Sequence, residues 1–155
     1  MFTKHVPPRL AVVFQDYAPP LYFVTFCTLD RVPWLASPEV HRALIVYAEI
    51  GKQSSRAAVG RYVIMPDHVH LFVRLAPDER LGRWVAGLKR SLSATAAHDP
   101  EQGKWQTGFF DHVLRHAESY AEKWHYVREN PVRKKLVQTA DEWPFQGEIV
   151  SIRDV

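Results

Sequence analysis

The chain has 155 residues, 46% hydrophobic and 24% charged, which excludes a disordered chain and fits one domain with a core of its own. Twenty basic against seventeen acidic residues leave a formal net charge of +3 and a pI near 9.1, which permits a nucleic-acid partner without demanding one. The single cysteine, Cys27, rules out an internal disulfide and a cysteine-only zinc site, and its apolar neighbours read it as a buried structural thiol.

Residues 1–20 read as a proline-rich lead-in, with Pro7-Pro8 and Pro19-Pro20 bracketing a short edge strand at Leu10 to Phe14. Lys4, Pro7, Pro8 and Arg9 interrupt any signal-like apolar core, and no apolar run is long enough to span a bilayer, so a cytoplasmic protein is expected. Leu21 to Leu29 is β-branched and aromatic on both parities, the pattern of a central strand covered on both faces. Ser37, Pro38 and Glu39 read as an N-cap, a first-turn proline and a first-turn acid. Val40, Leu44 and Tyr47 continue at helical spacing, with Gly51 as the expected stop. Arg56 to Met65 reads as a second strand, joined through Met65-Pro66-Asp67 to a third.

That third strand carries the chemistry. After Pro66, His68, His70, Phe72 and Arg74 fall on one parity, and Val69, Leu71, Val73 and Leu75 on the other. Period two means a strand with two unlike faces: one aliphatic, meant for helices, the other presenting two imidazoles side by side. A helix follows from about Glu79 to His98, with Leu81, Trp84, Val85, Leu88 and Leu92 as its apolar stripe. Trp105 to Arg115 is expected to hold a short fourth strand. Ala117 to Asn130 reads as a helix stopped at Pro131, and 136–155 as a C-terminal tail tethered by Trp143-Pro144-Phe145. The order predicts an α+β fold over 1–155: a ferredoxin-like, RRM-like split βαβ sandwich. Its antiparallel sheet has helices on one face, and an added C-terminal helix carries Tyr126.

Paired imidazoles at this spacing can chelate one metal ion; the alternative is two hydrogen-bonded residues on a half-buried strand. Tyr126 and Asn130 stand four apart, which predicts one helix face. Asn130 offers an amide oxygen as a hard ligand, or a residue suited to a helix end. A phenol with a pKa near ~10 attacks at neutral pH only if its target is polarised or a base takes its proton. Tyr120, Trp124 and Val127 are the packing candidates of that helix, and Tyr120 is the rival nucleophile. His125 points away from Tyr126.

The run Pro66-Asp67-His68-Val69-His70-Leu71-Phe72-Val73 resembles the His-hydrophobe-His motif of the HUH single-tyrosine (IS200-like) transposases. The run from Trp124 to Val137, with Tyr126, Asn130, Pro131 and Val132, resembles the Tyr-x-x-x-Asn-Pro-Val signature of their REP-associated branch. Leu21 to Arg31 and Trp105 to His112 resemble family segments too, so the likeness covers about residues 20 to 145, and both motifs occur together and in order. Ala18-Pro19-Pro20 stands where REP-associated members usually carry a glycine pair, which bears on the branch and not on the chemistry.

The resemblance implies that His68 and His70, with Asn130, bind Mg²⁺ or Mn²⁺; two imidazoles lean toward Mn²⁺. It implies that Tyr126 attacks single-stranded DNA, with a hairpin at repeat elements as a candidate partner, leaving a 5′-phosphotyrosine link and a free 3′-hydroxyl, in a monomer or a homodimer. Arg83 and Arg90 on one helix, and Arg115, Arg128, Arg133, Lys134 and Lys135 near the tyrosine, are candidates for a phosphate path or ordinary solvated charge. Trp105, Phe109 and Phe110 are candidates for base stacking or core packing. Two rival functions remain at this level: a nucleic-acid-binding module on the same fold, and a metal-dependent phosphodiesterase that uses water.

Overall fold

The computed structural model describes residues 19–115 and 117–152. The expected edge strand at Leu10 to Phe14 lies outside them. Five strands form one antiparallel sheet in the order β4-β1-β3-β2-β5: β1 Leu21–Cys27, β2 Ala57–Ile64, β3 His68–Leu75, β4 Phe110–Leu114 and β5 Gln146–Glu148. The first four have the split βαβ arrangement, with the histidine strand in the middle.

Helices α1 (Pro38–Gln53) and α2 (Leu81–Ser93) cover one face. Val40, Leu44 and Ala48 of α1 and Trp84, Val85, Leu88 and Leu92 of α2 bury against Val24, Phe26, Val69, Leu71, Val73 and Leu75. Ser37 caps α1 by accepting from the Val40 amide at 3.1 Å. Gly51 does not stop α1, which runs on to Gln53. A Cβ at Gly51 would sit 3.3 Å from that of Ala57, so the glycine lets the helix lie close to β2.

Helix α3 (Ala117–Val127) covers the other face. Tyr120 and Val127 pack there with Leu21, Phe23, Val63, Phe72, Leu114 and Trp143. The expected helix to Asn130 is cut short at Val127, and Asn130 instead opens a separate turn, α4 (Asn130–Arg133). Proline explains the break: at 131 it has no N–H for the Val127 carbonyl, and its ring crowds that carbonyl. Asn130 is therefore not on the same helix as Tyr126.

The tail is more than a tether. Gln146–Glu148 pairs with Arg61 to Val63 and adds a fifth strand, while the Trp143 indole donates to the Ile64 carbonyl at 3.0 Å. Gln-Gly-Glu shows no apolar alternation; the open edge of β2, not local preference, makes it a strand. The fourth strand is shorter than 105–115, because Trp105 turns its ring into the core against Phe26 and Trp34, and Gly108 (φ 80°) bends the chain before Phe110.

Candidate active site

Alternation along β3 puts His68 and His70 on the α3 side. Their ring centroids are 4.7 Å apart and nearly perpendicular, at 81°. Each imidazole is held by its Nδ1. For His70 the partner is the Thr25 hydroxyl, 2.7 Å away and directly across from it on β1. For His68 it is the Asp67 carboxylate at 2.8 Å. An ionised carboxylate only accepts, so His68 Nδ1 is the donor and its Nε2 carries the lone pair. The Thr25 hydroxyl accepts equally well from His70, which frees the second Nε2.

The turn that carries Asp67 is pinned. Its carbonyl accepts from the Thr28 amide at 3.0 Å, and the Pro66 carbonyl accepts from the Leu35 amide at 2.9 Å. Arg31 donates through Nε to Asp67 Oδ2 at 3.0 Å and brings Nη2 to 3.3 Å from His68 Nδ1. Asp30 and Arg31 both take positive φ, 55° and 56°, an unfavourable backbone for an arginine. That turn aims the Arg31 guanidinium at the histidine pair.

The two imidazoles are neutral and, Asp67 aside, the charges around them are positive. Burial pushes the His70 pKa down to about 3, helped by the nearby charges of His68, Lys123, Arg133 and Arg31. Burial also lowers the His68 pKa; the Asp67 bond and charge oppose this, and Arg31 and Lys134 add to it. For Asp67, burial acts upward, but the bonds from His68 and Arg31 outweigh it and hold the carboxyl below its usual range. Two neutral imidazoles with free Nε2 atoms fit a divalent metal. Among the described residues no group of three or more His, Cys, Asp or Glu side chains could hold one; beyond those residue types, Asn130 offers an amide oxygen.

Tyr126 is 62% exposed, whereas Tyr120 is 5% exposed. Tyr120 accepts from the Arg61 amide at 3.1 Å, and a Cβ at Gly60 would come within 2.6 Å of its oxygen. Burial raises its pKa. The rival phenol is thus structural. Among the described residues no hydrogen bond joins Tyr126 to either imidazole. What links them is Arg133: its guanidinium lies 4.0 Å from the Tyr126 ring centroid, donates to the Tyr126 carbonyl at 2.8 Å and to Asn130 Oδ1 at 2.5 Å, and its charge reaches His70. His125 is exposed.

The other candidates divide by face. Arg83 and Arg90 are exposed on α2, across the sheet from the histidines. Trp105 belongs to the core on that side, donating to Ser93 Oγ at 2.7 Å, and Phe109 packs there in part. Arg128 is paired with Asp141 at 2.6 Å. Arg115, Lys134 and Lys135 are exposed, and Lys134 is close enough to act on His68. Phe110 is 71% exposed and stands opposite Thr25, which stands opposite His70, so the three share one cross-strand row on one face. Sequence reasoning missed Thr25, Asp67, Arg31 and Lys123. Thr25 was visible as an aliphatic hydroxyl within an apolar strand, and Asp67 as the neighbour of His68. Arg31 and Lys123 carry no local signal. Lys123 lies 4.9 Å from the Phe23 ring, which stacks on His70.

Comparison with known proteins supplies context for this geometry. Residues 21–130 match the family described as "Transposase IS200 like". A Haemophilus influenzae protein assigned to the REP-associated tyrosine transposases is 26% identical over 139 residues, 82% of this chain and 78% of that one. Among solved structures, a REP-associated tyrosine transposase bound to a REP hairpin superposes with a TM-score of 0.67 at 22% identity, covering 83% of this chain and 76% of the other. A Deinococcus radiodurans R1 protein described as a transposase gives 0.50 at 20% identity, covering 70% and 88%.

Proposed function

This chain belongs to the IS200-like transposase family, and on that footing we propose that it cuts and rejoins single-stranded DNA through a covalent bond to Tyr126. The observation that carries the reading is the histidine pair: two neutral imidazoles, each tied by Nδ1 and open at Nε2, beside the charges of Arg31, Lys123, Arg133 and Lys134. Such a setting suits a metal ligand pair next to a phosphate.

His68, His70 and Asn130 would hold Mg²⁺ or Mn²⁺. When bound, the ion supplies Lewis-acid polarisation of a phosphodiester oxygen. Arg31, Lys123 and Lys134 gather the same phosphate and offset its charge. The Tyr126 oxygen forms a bond to phosphorus as its proton leaves, and the bond from phosphorus to the 3′-oxygen breaks. The products are a 5′-phosphotyrosine and a 3′-hydroxyl once that oxygen takes a proton. Attack by a 3′-hydroxyl on the phosphotyrosine reverses the step, so joining consumes no nucleotide. Phe110 provides an aromatic surface for an unpaired base near His70. A hairpin flanked by single strands is the substrate suggested by the REP-bound neighbour.

Replacing Tyr126 with Phe tests the reading. Loss of cleavage with Mn²⁺ binding intact is the expected result. Undiminished cleavage would assign the site to a hydrolase that uses water.

A further inference from the structure

We propose that Arg133 is a positioning residue that holds Tyr126 and Asn130 in register across the helix break. The inference rests on the reading of Tyr126 as nucleophile and Asn130 as ligand. The two stand on different elements, α3 and α4, separated by Arg128 and Glu129. A continuous helix would fix their spacing by itself; a broken one does not.

Each side of the break is anchored differently. Pro131 is buried, and the Arg133 amide donates to the Glu129 carbonyl at 2.9 Å within the same turn, so α4 is closed locally and held by its proline. Val127 is buried at the end of α3, but the Tyr126 side chain beside it is mostly exposed and has no core packing to fix its ring. Arg133 reaches back across the break. One guanidinium nitrogen donates both to the Tyr126 carbonyl at 2.8 Å and to Asn130 Oδ1 at 2.5 Å, and the guanidinium carbon lies over the phenol ring, 4.0 Å from its centroid.

These contacts do two things. They hold the nucleophile's residue by both backbone and ring. They also fix the amide of Asn130, because a guanidinium only donates and so selects the oxygen. An amide oxygen has two acceptor positions, and accepting from Arg133 leaves one for a ligand. Lysine could donate twice from its one nitrogen, but it lacks the delocalised guanidinium whose carbon lies over the phenol ring while a terminal nitrogen donates. This separates positioning from simple phosphate attraction.

The test compares the intact chain with R133A, R133K and Y126F on single-stranded DNA with Mn²⁺. It measures single-turnover cleavage, DNA affinity at several salt concentrations, and thermal unfolding to check that each variant folds. A misplaced nucleophile predicts that R133A slows cleavage by about 100-fold while DNA affinity changes less than about threefold. R133K should stay within about threefold of R133A, and the salt dependence of binding should match the wild type in both. The proposal is overturned if R133K cleaves like the wild type, if R133A does so, or if R133A lowers the salt slope by about one, the mark of a lost phosphate contact. Cleavage by Y126F would overturn the underlying reading and this inference together. An inactive Y126F beside a fully active R133A would overturn only the role of Arg133.

Discussion

On one side of β3, Val69, Leu71, Val73 and Leu75 meet α1 and α2 in a closed apolar layer; on the other, His68 and His70 meet Thr25, Asp67 and a group of cations. The same eight residues serve both sides, because strand geometry sends neighbours to opposite faces. The aliphatic side can be close-packed because nothing there must be reached. The histidine side is covered by α3 over Phe72 and Leu21 but left open around Tyr126 and Phe110. Stability and chemistry are thus divided by parity within one strand, and substitutions on each face should fail in different ways.

The largest effect on folding is expected from the closed face. Leu71→Ala, at a fully buried position, should cost about 2–5 kcal/mol in denaturant unfolding. His70→Ala should abolish Mn²⁺ binding while the protein remains folded; unfolding of His70→Ala under conditions where Leu71→Ala stays native would invert the comparison.

Acid should sharpen the contrast. His70, with a pKa of about 3, and His68 and His41, also lowered, are all kept neutral by burial. Their folded pKa values lie below the unfolded value near ~6.5, so the unfolded chain binds more protons between the two. Their contribution is complete above the unfolded value and is lost as pH falls toward the folded ones. The metal-free protein should therefore melt at progressively lower temperature from pH ~6.5 downward, and His70→Phe should flatten that slope. A melting temperature independent of pH in that window would contradict the burial argument.

Smaller effects come from the groups behind the ligands. Thr25→Val and Asp67→Ala remove the Nδ1 partners and should each weaken Mn²⁺ binding by about 10-fold or more in titration, with the fold intact. The smallest concern the periphery. Phe110→Ala should weaken single-stranded DNA binding by about 1–3 kcal/mol, whereas Arg83→Ala with Arg90→Ala, on the far face, should leave it within about twofold. Equal losses from the two would remove the distinction between faces.

Alternation alone revealed the two faces of β3, and it did so correctly because a covered sheet imposes period two on the sequence. The order of the first four strands and their helices was legible for the same reason. The break before Asn130 could have been anticipated from Pro131, since a proline disrupts the turn that precedes it. β5 was not legible, because Gln146 to Glu148 becomes a strand only by pairing with an edge formed by residues far away in sequence. The roles of Arg31 and Lys123 were hidden too: one depends on a left-handed turn after β1, the other on how α3 lies over Phe23. Long-range placement leaves no trace in local residue patterns.

The measurement that bears most directly on the central claim is a search for a covalent protein–DNA adduct. The wild-type chain is incubated with Mn²⁺ and end-labelled single-stranded DNA flanking a hairpin, denatured, digested and sequenced by mass spectrometry. A denaturation-resistant adduct is expected on the peptide that contains Tyr126, joined to a 5′-phosphate and lost in His70→Ala. An adduct on Tyr120, or cleaved DNA with no adduct at all, would contradict it.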